Sequence, residues 1–379
     1  MPARYFSKVV VDLDAYASNL ALVRRLVGDK IHLIPLVKAN AYGHGLEPIA
    51  RTAARGGARM LGVATVEEAV RLRDAGIDIP ILVLIPPPRD ALRLFIEYNL
   101  SLMVSDPSVA EAMGALAAAS KRIVPVHCKI DTGMGRQGID YDDALDTLQY
   151  IKRITNIDIQ GICTHFPSAD MVDDSFTQAQ IKAFRQLIRQ VEKAGIPYEM
   201  AHAANSPAIV NYRDSLFDAV RPGLICYGIW PCKTSATVHP LRRVLRWETT
   251  VVQVRQLKAH ANIGYGRTYA TYGPARTAVL PVGYADGYRY QLANKADVLI
   301  RGRRCPVRGA VSMDQIVVDV TAVPQVAVGD AATLIGVDGD LEITAEELAE
   351  KAGTISYDIL TGIGPRVYRE YINDQPENA

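Results

Sequence analysis

Three things are scarce in this sequence, and each scarcity excludes a class of protein. Cysteine is one: Cys128, Cys163, Cys226, Cys232 and Cys305 are all there are. Their number is odd and no two stand at the C-x-x-C spacing of a zinc site or redox dithiol, so reduced thiols packing as small apolar side chains are expected. Surplus charge is the second. Lys and Arg number 42 against 41 Asp and Glu, a net +1, which speaks against nucleic acid or an anionic membrane as the main partner. The third is any long apolar run: nothing approaches the roughly eighteen residues a membrane span needs. In MPARYFSKVVVDLDAY, Lys8 adjoins a short apolar run that Asp12 and Asp14 interrupt, too soon for the core of a signal peptide. The cytoplasm is the expected compartment. Neither a low-complexity linker nor an internal repeat beyond strand–helix alternation is found.

What is present is an ordinary globular composition, 49% apolar and 22% charged, in a chain long enough for two domains. Up to about residue 225, β-rich runs alternate with helical patterns: HLIPLVK (32–38), MLGVAT (60–65), PILVLI (80–85), SLMVS (101–105), IVPVHCKI (123–130), IDIQGICTH (157–165), YEMAHA (198–203) and AVRPGLICYG (219–228). In TVEEAVRLRDAG, Val66, Ala69, Val70 and Leu72 share a helix face and Gly76 stops it. Near-continuous apolar strands separated by helices predict parallel strands buried on both sides, and eight units predict an α/β fold of the (β/α)8 TIM-barrel type. After Pro240 the texture changes. WETTVVQVRQL, ARTAVLPVGY, ADVLIRG, QIVVDVT and DAATLIG read as short strands of a mainly antiparallel β domain. It has one clear helix, TAEELAEKAG, with Thr344 as N-cap, Glu347 completing a capping box and Gly353 beyond its end. The expected division is a barrel over 1–240 and a β-rich domain over 241–379. The early run KVVVDLD is expected to add a strand to the barrel, or else to join the second domain.

A barrel of this kind carries its active site at the C-terminal strand ends. The first strand here ends in Lys38, the fifth runs into Lys129 and then Arg136, and the sixth ends in His165. The seventh carries His202 and leads to Asn205-Ser206, and the eighth carries Arg221 and then Gly223. One such residue alone is ordinarily a solvated rim residue, but convergence from five strands points to a site. A lysine closing the buried run IPLV is costly unless paired or used, and a covalent bond to an aldehyde cofactor is one known use. The glycines after it would let Tyr42 turn back towards the site, whereas His44 has no evident role. Ser206 at a helix start with Pro207 following, and Gly223 at the next strand end, suggest an anion site like the phosphate sites of these barrels.

With these residues in place, the sequence resembles the alanine racemases, pyridoxal 5'-phosphate enzymes built as a barrel followed by a β domain. The motifs are VKANAYGHG (37–45), KIDTGMGRQG (129–138), GICTHFPSAD (161–170), HAANSPA (202–208), VRPGLICYG (220–228), IGYGRTY (263–269), PVGYADGY (281–288), VSMDQIVVDVT (311–321) and TISYDIL (354–360). They follow the family's order over nearly the whole chain.

The resemblance implies that Lys38 holds the cofactor covalently. Tyr42, Asn205, Ser206, Tyr357 and the backbone at Gly223 would hold its phosphate region. Arg221 would face the ring nitrogen, His165 lie against the ring and His202 orient Arg221. Arg136 would bind the substrate carboxylate, supported by Lys129, which is carbamylated in many relatives. Tyr265 and Met313 would come from the second subunit of a homodimer, with Tyr284 and Asp314 in support, and Tyr357, Ile355 and Tyr284 would bound the substrate methyl. The activity implied is interconversion of L- and D-alanine, with Lys38 and Tyr265 as acid/base groups on opposite faces of the α-carbon and a chain Tyr265–His165–Arg221 favouring the phenolate. The implied role is supply of D-alanine for peptidoglycan. No metal, nucleic acid or membrane partner is expected.

Three alternatives compete with this reading. A barrel decarboxylase would place an acidic residue at the ring nitrogen, where Arg221 stands. A non-catalytic carrier of the cofactor would lack the β domain. A serine or broad-specificity racemase would share the chemistry at the α-carbon. On that last choice bear Ala310, where many relatives have an arginine along the access corridor, Ser356 and Asp358 in place of the common proline and glutamate, and Gly364-Pro365 before Arg366.

Overall fold

The structure is a computed structural model describing residues 6–232 and 240–374, and the chain divides into two compact units. The first takes Ala15–Ala41 and Leu46–Arg242. The second takes the residues up to Asp14, the short segment Tyr42–Gly45, and everything from Arg243 onward.

The first unit is the barrel. Its parallel strands run in the spatial order His32–Leu33, Ala219–Val220, Met200–His202, Ile157–Cys163, Val124–Asp131, Ser101–Val104, Ile81–Val83 and Leu61–Val63. The ring closes where Leu36 bridges Gly62 in parallel. All eight apolar runs thus supply a strand, and they do so because helices cover their outer faces while Ile34, Met60, Leu82, Met103, Cys163, Met200 and Ala219 pack into one buried cluster inside. Several of the intervening helices start where a side chain satisfies their free N–H groups. Thr65 and Glu68 form a capping box before Val66–Asp74. Asp174 accepts from Phe176 and Thr177 at the head of Ser175–Lys193, whose Ile181, Phe184, Leu187, Ile188 and Val191 face inward.

One expected strand is shorter than foreseen. Only Ala219–Val220 of the run 219–228 is strand, and Leu224–Tyr227 is a 3-10 turn. Pro222 has no N–H to give a ladder, so pairing stops there.

In the second unit one sheet orders Arg303–Pro306, Asp297–Ile300, Ala331–Asp338, Leu245–Thr250, Ser7–Asp12 and Tyr368–Ile372, and a second holds Gln253–Leu257, Ala275–Leu280 and Ile316–Asp319. The early run therefore does not extend the barrel. It pairs antiparallel with Leu245–Thr250 and parallel with Tyr368–Ile372, which buries Val9 and Val11 completely and lets the Trp247 indole N–H donate to Ser7 Oγ at 2.8 Å. A second helix, Ser356–Thr361, joins the expected Ala345–Ala352. Thr344 does accept from Glu347 N, but the Glu347 carboxylate takes the Arg304 guanidinium at 2.6 and 3.0 Å instead of returning to the cap, because two charge-assisted bonds outweigh one to a backbone amide.

Replacing Ser7 by alanine strands the buried indole N–H, so urea unfolding is expected to show a loss of about 1–3 kcal/mol. No loss would mean that this contact does not anchor the strand.

Candidate active site

The barrel strands deliver their polar ends to one cavity of about 290 Å³, lined by Lys38, Lys129, Arg136, Gln137, Thr164, His165 and Arg221 above the apolar Leu36, Leu84, Met103 and Cys163. Among the described residues, four cations and no carboxylate stand on its wall. Lys38 sits where the first strand gives way to a turn. Burial, then the charges of Arg136 and Arg221, lower its pKa against the opposing pull of Glu68. Lys129 lies in Val124–Asp131, and burial brings its pKa down to about 8. Both amines are therefore more available in neutral form than an ordinary lysine.

The residues after Lys38 are unusual. Ala39, Asn40, Ala41 and Tyr42 all have φ of 52–53°, a left-handed turn made without glycine, at a cost of about 1 kcal/mol or more per residue. Glu68 and Asn40 hold it: the Asn40 N–H donates to Glu68 Oε1 and the Leu46 N–H to Asn40 Oδ1. Glu68 is thus a contributor that the motif reading missed, because in the sequence it registers only as a capping residue.

Arg221 is buried, and its guanidinium donates to five acceptors: the carbonyls of Thr164 (2.7 Å), Ala203 (2.8 Å) and His202 (3.0 Å), His202 Nδ1 (2.5 Å) and His165 Nδ1 (3.2 Å). Burial lowers its pKa, yet a guanidinium so held stays protonated. Burial and then the Arg221 charge press His165 and His202 well below the usual histidine range, and His127 to about 3. His127, packed on His202 and absent from the expected set, is the other residue that sequence reasoning missed. In IVPVHCKI it reads as a core position.

At the neighbouring strand ends Asn205, not Ser206, caps the helix Ser206–Asn211, accepting from Ala208 N. The Ser206 hydroxyl accepts from Gly223 N at 2.8 Å. The glycine amide is thereby already engaged, and the Ser206 O–H is left as the donor. The cavity fits pyridoxal phosphate, with a buried amine of lowered basicity and cations suited to phosphate and carboxylate, and the strand end after His202 adds a serine hydroxyl fixed by backbone donors.

The other expected residues lie in the second unit. The Tyr42 and Tyr357 rings are 5.8 Å apart. Tyr265 opens the short turn Tyr265–Arg267 and is 76% exposed, and Met313, Tyr284 and Ile355 are exposed too. The Tyr284 and Met313 loops are laced by Tyr284 N to Ser312 O and Ala285 N to Met313 O. They approach so closely that a Cβ on Gly283 would meet both carbonyls at 2.3 Å. Arg366 grips this pair of loops through Asp286 at 3.2 Å and Asp314 at 2.8 Å. Ala310 is buried and lies against Gly264, next to Tyr265.

A lysine amine of reduced basicity at the mouth of a parallel barrel, among cations suited to an anion, matches the class of enzymes that hold a phosphorylated carbonyl cofactor through lysine. Comparison makes this specific. Residues 11–231 match the N-terminal domain of alanine racemase and 244–371 its C-terminal domain. An alanine racemase of Halothermothrix orenii is 41% identical over 363 residues, 96% of each chain. Among solved structures, alanine racemase of Clostridium difficile 630 superposes with a TM-score of 0.93 at 31% identity, covering 98% of this chain and 97% of that one. Alanine racemase from Bartonella henselae, with covalently bound pyridoxal phosphate, gives 0.88 at 29%, covering 97% and 100%. The chain belongs to the alanine racemase family.

The buried histidines make stability depend on pH. The pKa of folded His127, about 3, lies below its unfolded value near 6.5. Between those values the unfolded chain binds a proton that the folded one refuses. This contribution is complete above the unfolded pKa and is lost as pH falls from there towards the folded one. Urea midpoints followed from about pH 7 to about pH 4 should fall less steeply for His127→Asn, by one proton's worth of slope. Equal slopes would mean that His127 is protonated in the fold.

Proposed function

We propose that this chain racemises alanine with pyridoxal 5'-phosphate bound, and that it does so by two acid/base groups on opposite faces of the α-carbon. One observation carries the reading: Lys38, with its pKa lowered, shares a cavity with Lys129, Arg136 and Arg221 and with no carboxylate. When bound, the cofactor supplies an electron sink that acidifies the α-hydrogen. Lys38 would hold the cofactor through its amine and would also hold or release the proton on one face. Tyr265 does so on the other, so one proton is taken and one returned with no net change. Tyr42, the Ser206 hydroxyl, Asn205, Tyr357 and the backbone around Gly223, whose own amide is taken by Ser206, would hold the phosphate region, and His165 would lie against the ring. Arg221, a fixed cation kept in place by His202, would face the ring nitrogen and, as a guanidinium, would not hand it a proton. Arg136, supported by Lys129, takes the substrate carboxylate. Tyr357, Ile355 and Tyr284 would bound the substrate methyl and set how large a side chain is admitted, with Met313 beside the substrate and Asp314 in support.

The exposed Tyr265 and Met313 support a homodimer in which each site is completed by the other subunit. D-alanine for peptidoglycan, made in the cytoplasm, is the biological role that follows.

Borohydride reduction of the holoenzyme followed by peptide mapping is expected to place the cofactor on Lys38, and Lys38→Ala to abolish the adduct. An adduct on another lysine would overturn the reading. A circular-dichroism assay on L-alanine beside L-serine and L-lysine should give the largest rate for alanine.

The shared site has its own test. Lys38→Ala and Tyr265→Phe enzymes, each inactive, are unfolded together, refolded and assayed. Mixed dimers retain one intact site, so about one quarter of wild-type activity should return. No recovery would place both groups in one subunit.

A further inference from the structure

The barrel interior holds a row of polar side chains, His165, Arg221, His202 and His127, of which only His127 has no part in the chemistry described. A guanidinium can only donate hydrogen bonds. Arg221 lies 2.5 Å from His202 Nδ1 and 3.2 Å from His165 Nδ1, so both Nδ1 atoms present lone pairs and each neutral ring carries its hydrogen on Nε2. His202 Nε2 is 2.8 Å from His127 Nδ1, and its hydrogen points there. His127 Nδ1 accepts in turn, leaving the His127 hydrogen on Nε2, which has no hydrogen-bond partner. The reverse assignment, His127 donating, would put the His202 hydrogen on Nδ1, where it would collide with the Arg221 N–H.

We propose that His127 is a positioning residue for Arg221: by accepting from His202 Nε2 it fixes the proton on that ring, holds Nδ1 open to the guanidinium, and so leaves His165 with its hydrogen on Nε2 to donate outward. The fold reserves room for this. His127 and His202 are fully buried, the rings lie 5.1 Å apart, and the residue paired with His127 on the adjacent strand is Gly161. A Cβ there would stand 2.0 Å from His127 Nδ1. Neutrality of all three rings follows from their burial beside a cation and agrees with the lowered pKa of each. For its kinetic consequence the inference rests on the racemase reading; for the proton placement it rests on the barrel alone.

The test is nitrogen NMR of holoenzyme labelled in histidine, with His127→Phe and His127→Asn, the latter keeping an acceptor oxygen near the position of Nδ1. In wild type, His202 and His165 should both show protonated Nε2 and bare Nδ1. In His127→Phe the His202 Nε2 hydrogen loses its acceptor, so the His202 nitrogen signals should shift from the wild-type pattern. There kcat should fall about tenfold while KM stays within about twofold, because three carbonyls still hold Arg221. His127→Asn should restore the wild-type nitrogen pattern and bring kcat back to within about twofold. A protonated His202 Nδ1 in wild type overturns the proposal even if the Phe variant fails to fold. So does a Phe variant with unchanged kcat and an unchanged His202 pattern. Absence of racemase activity in wild type would instead refute the functional reading, leaving the proton assignment to the spectra.

Discussion

A guanidinium sealed inside a protein must meet acceptors on every side, and Arg221 shows how far that demand reaches. Its five acceptors come from the ends of two neighbouring strands, at Thr164 and His165 and at His202 and Ala203. The Thr164 and Ala203 carbonyls are open to it because the strands are ending, and the His202 carbonyl takes it on a second lone pair. Thr164 N still reaches His202 O at 3.3 Å and Arg221 N reaches Ala204 O at 2.8 Å, so the ladder frays in a controlled way around the charge. Leaving such a cation unpaired is among the most destabilising changes a buried site can suffer. The register of three strands and the state of the histidines are therefore tied to one side chain.

The same charge shapes its surroundings. With Arg136 it acts on burial's side to weaken Lys38 as a base, and it reaches Lys129 as well. A cavity walled by cations is a poor home for another cation and a good one for a phosphate and a carboxylate. Electrostatics and cofactor class are thus one statement read from two sides.

Much of this was legible in the chain. Apolar runs such as PILVLI and SLMVS announce strands buried on both faces, and lysine, histidine and arginine at their ends announce a rim. What escaped did so for physical reasons. The left-handed turn at Ala39–Tyr42 has no glycine to advertise it, since tertiary bonds from Glu68 and Asn40 override local preference. His127 alternates with apolar neighbours as any core residue would, and its meaning depends on a ring 75 positions away. The run 219–228 has strand composition but a proline that ends pairing. KVVVDLD shows its β character locally, whereas its partners near 247 and 370 are fixed only by the folded sheet.

That last pairing bears on how the molecule is made. Ser7–Asp12 emerges from the ribosome long before Leu245–Thr250 and Tyr368–Ile372, so the entire barrel is translated while this strand waits without neighbours. An unpaired VVV segment invites the wrong company, and Lys8 and Asp12 flank it with charge. The second unit closes only when the last strand arrives, so its assembly is a post-synthetic event. A chain truncated before residue 368 would leave one edge of that central strand bare.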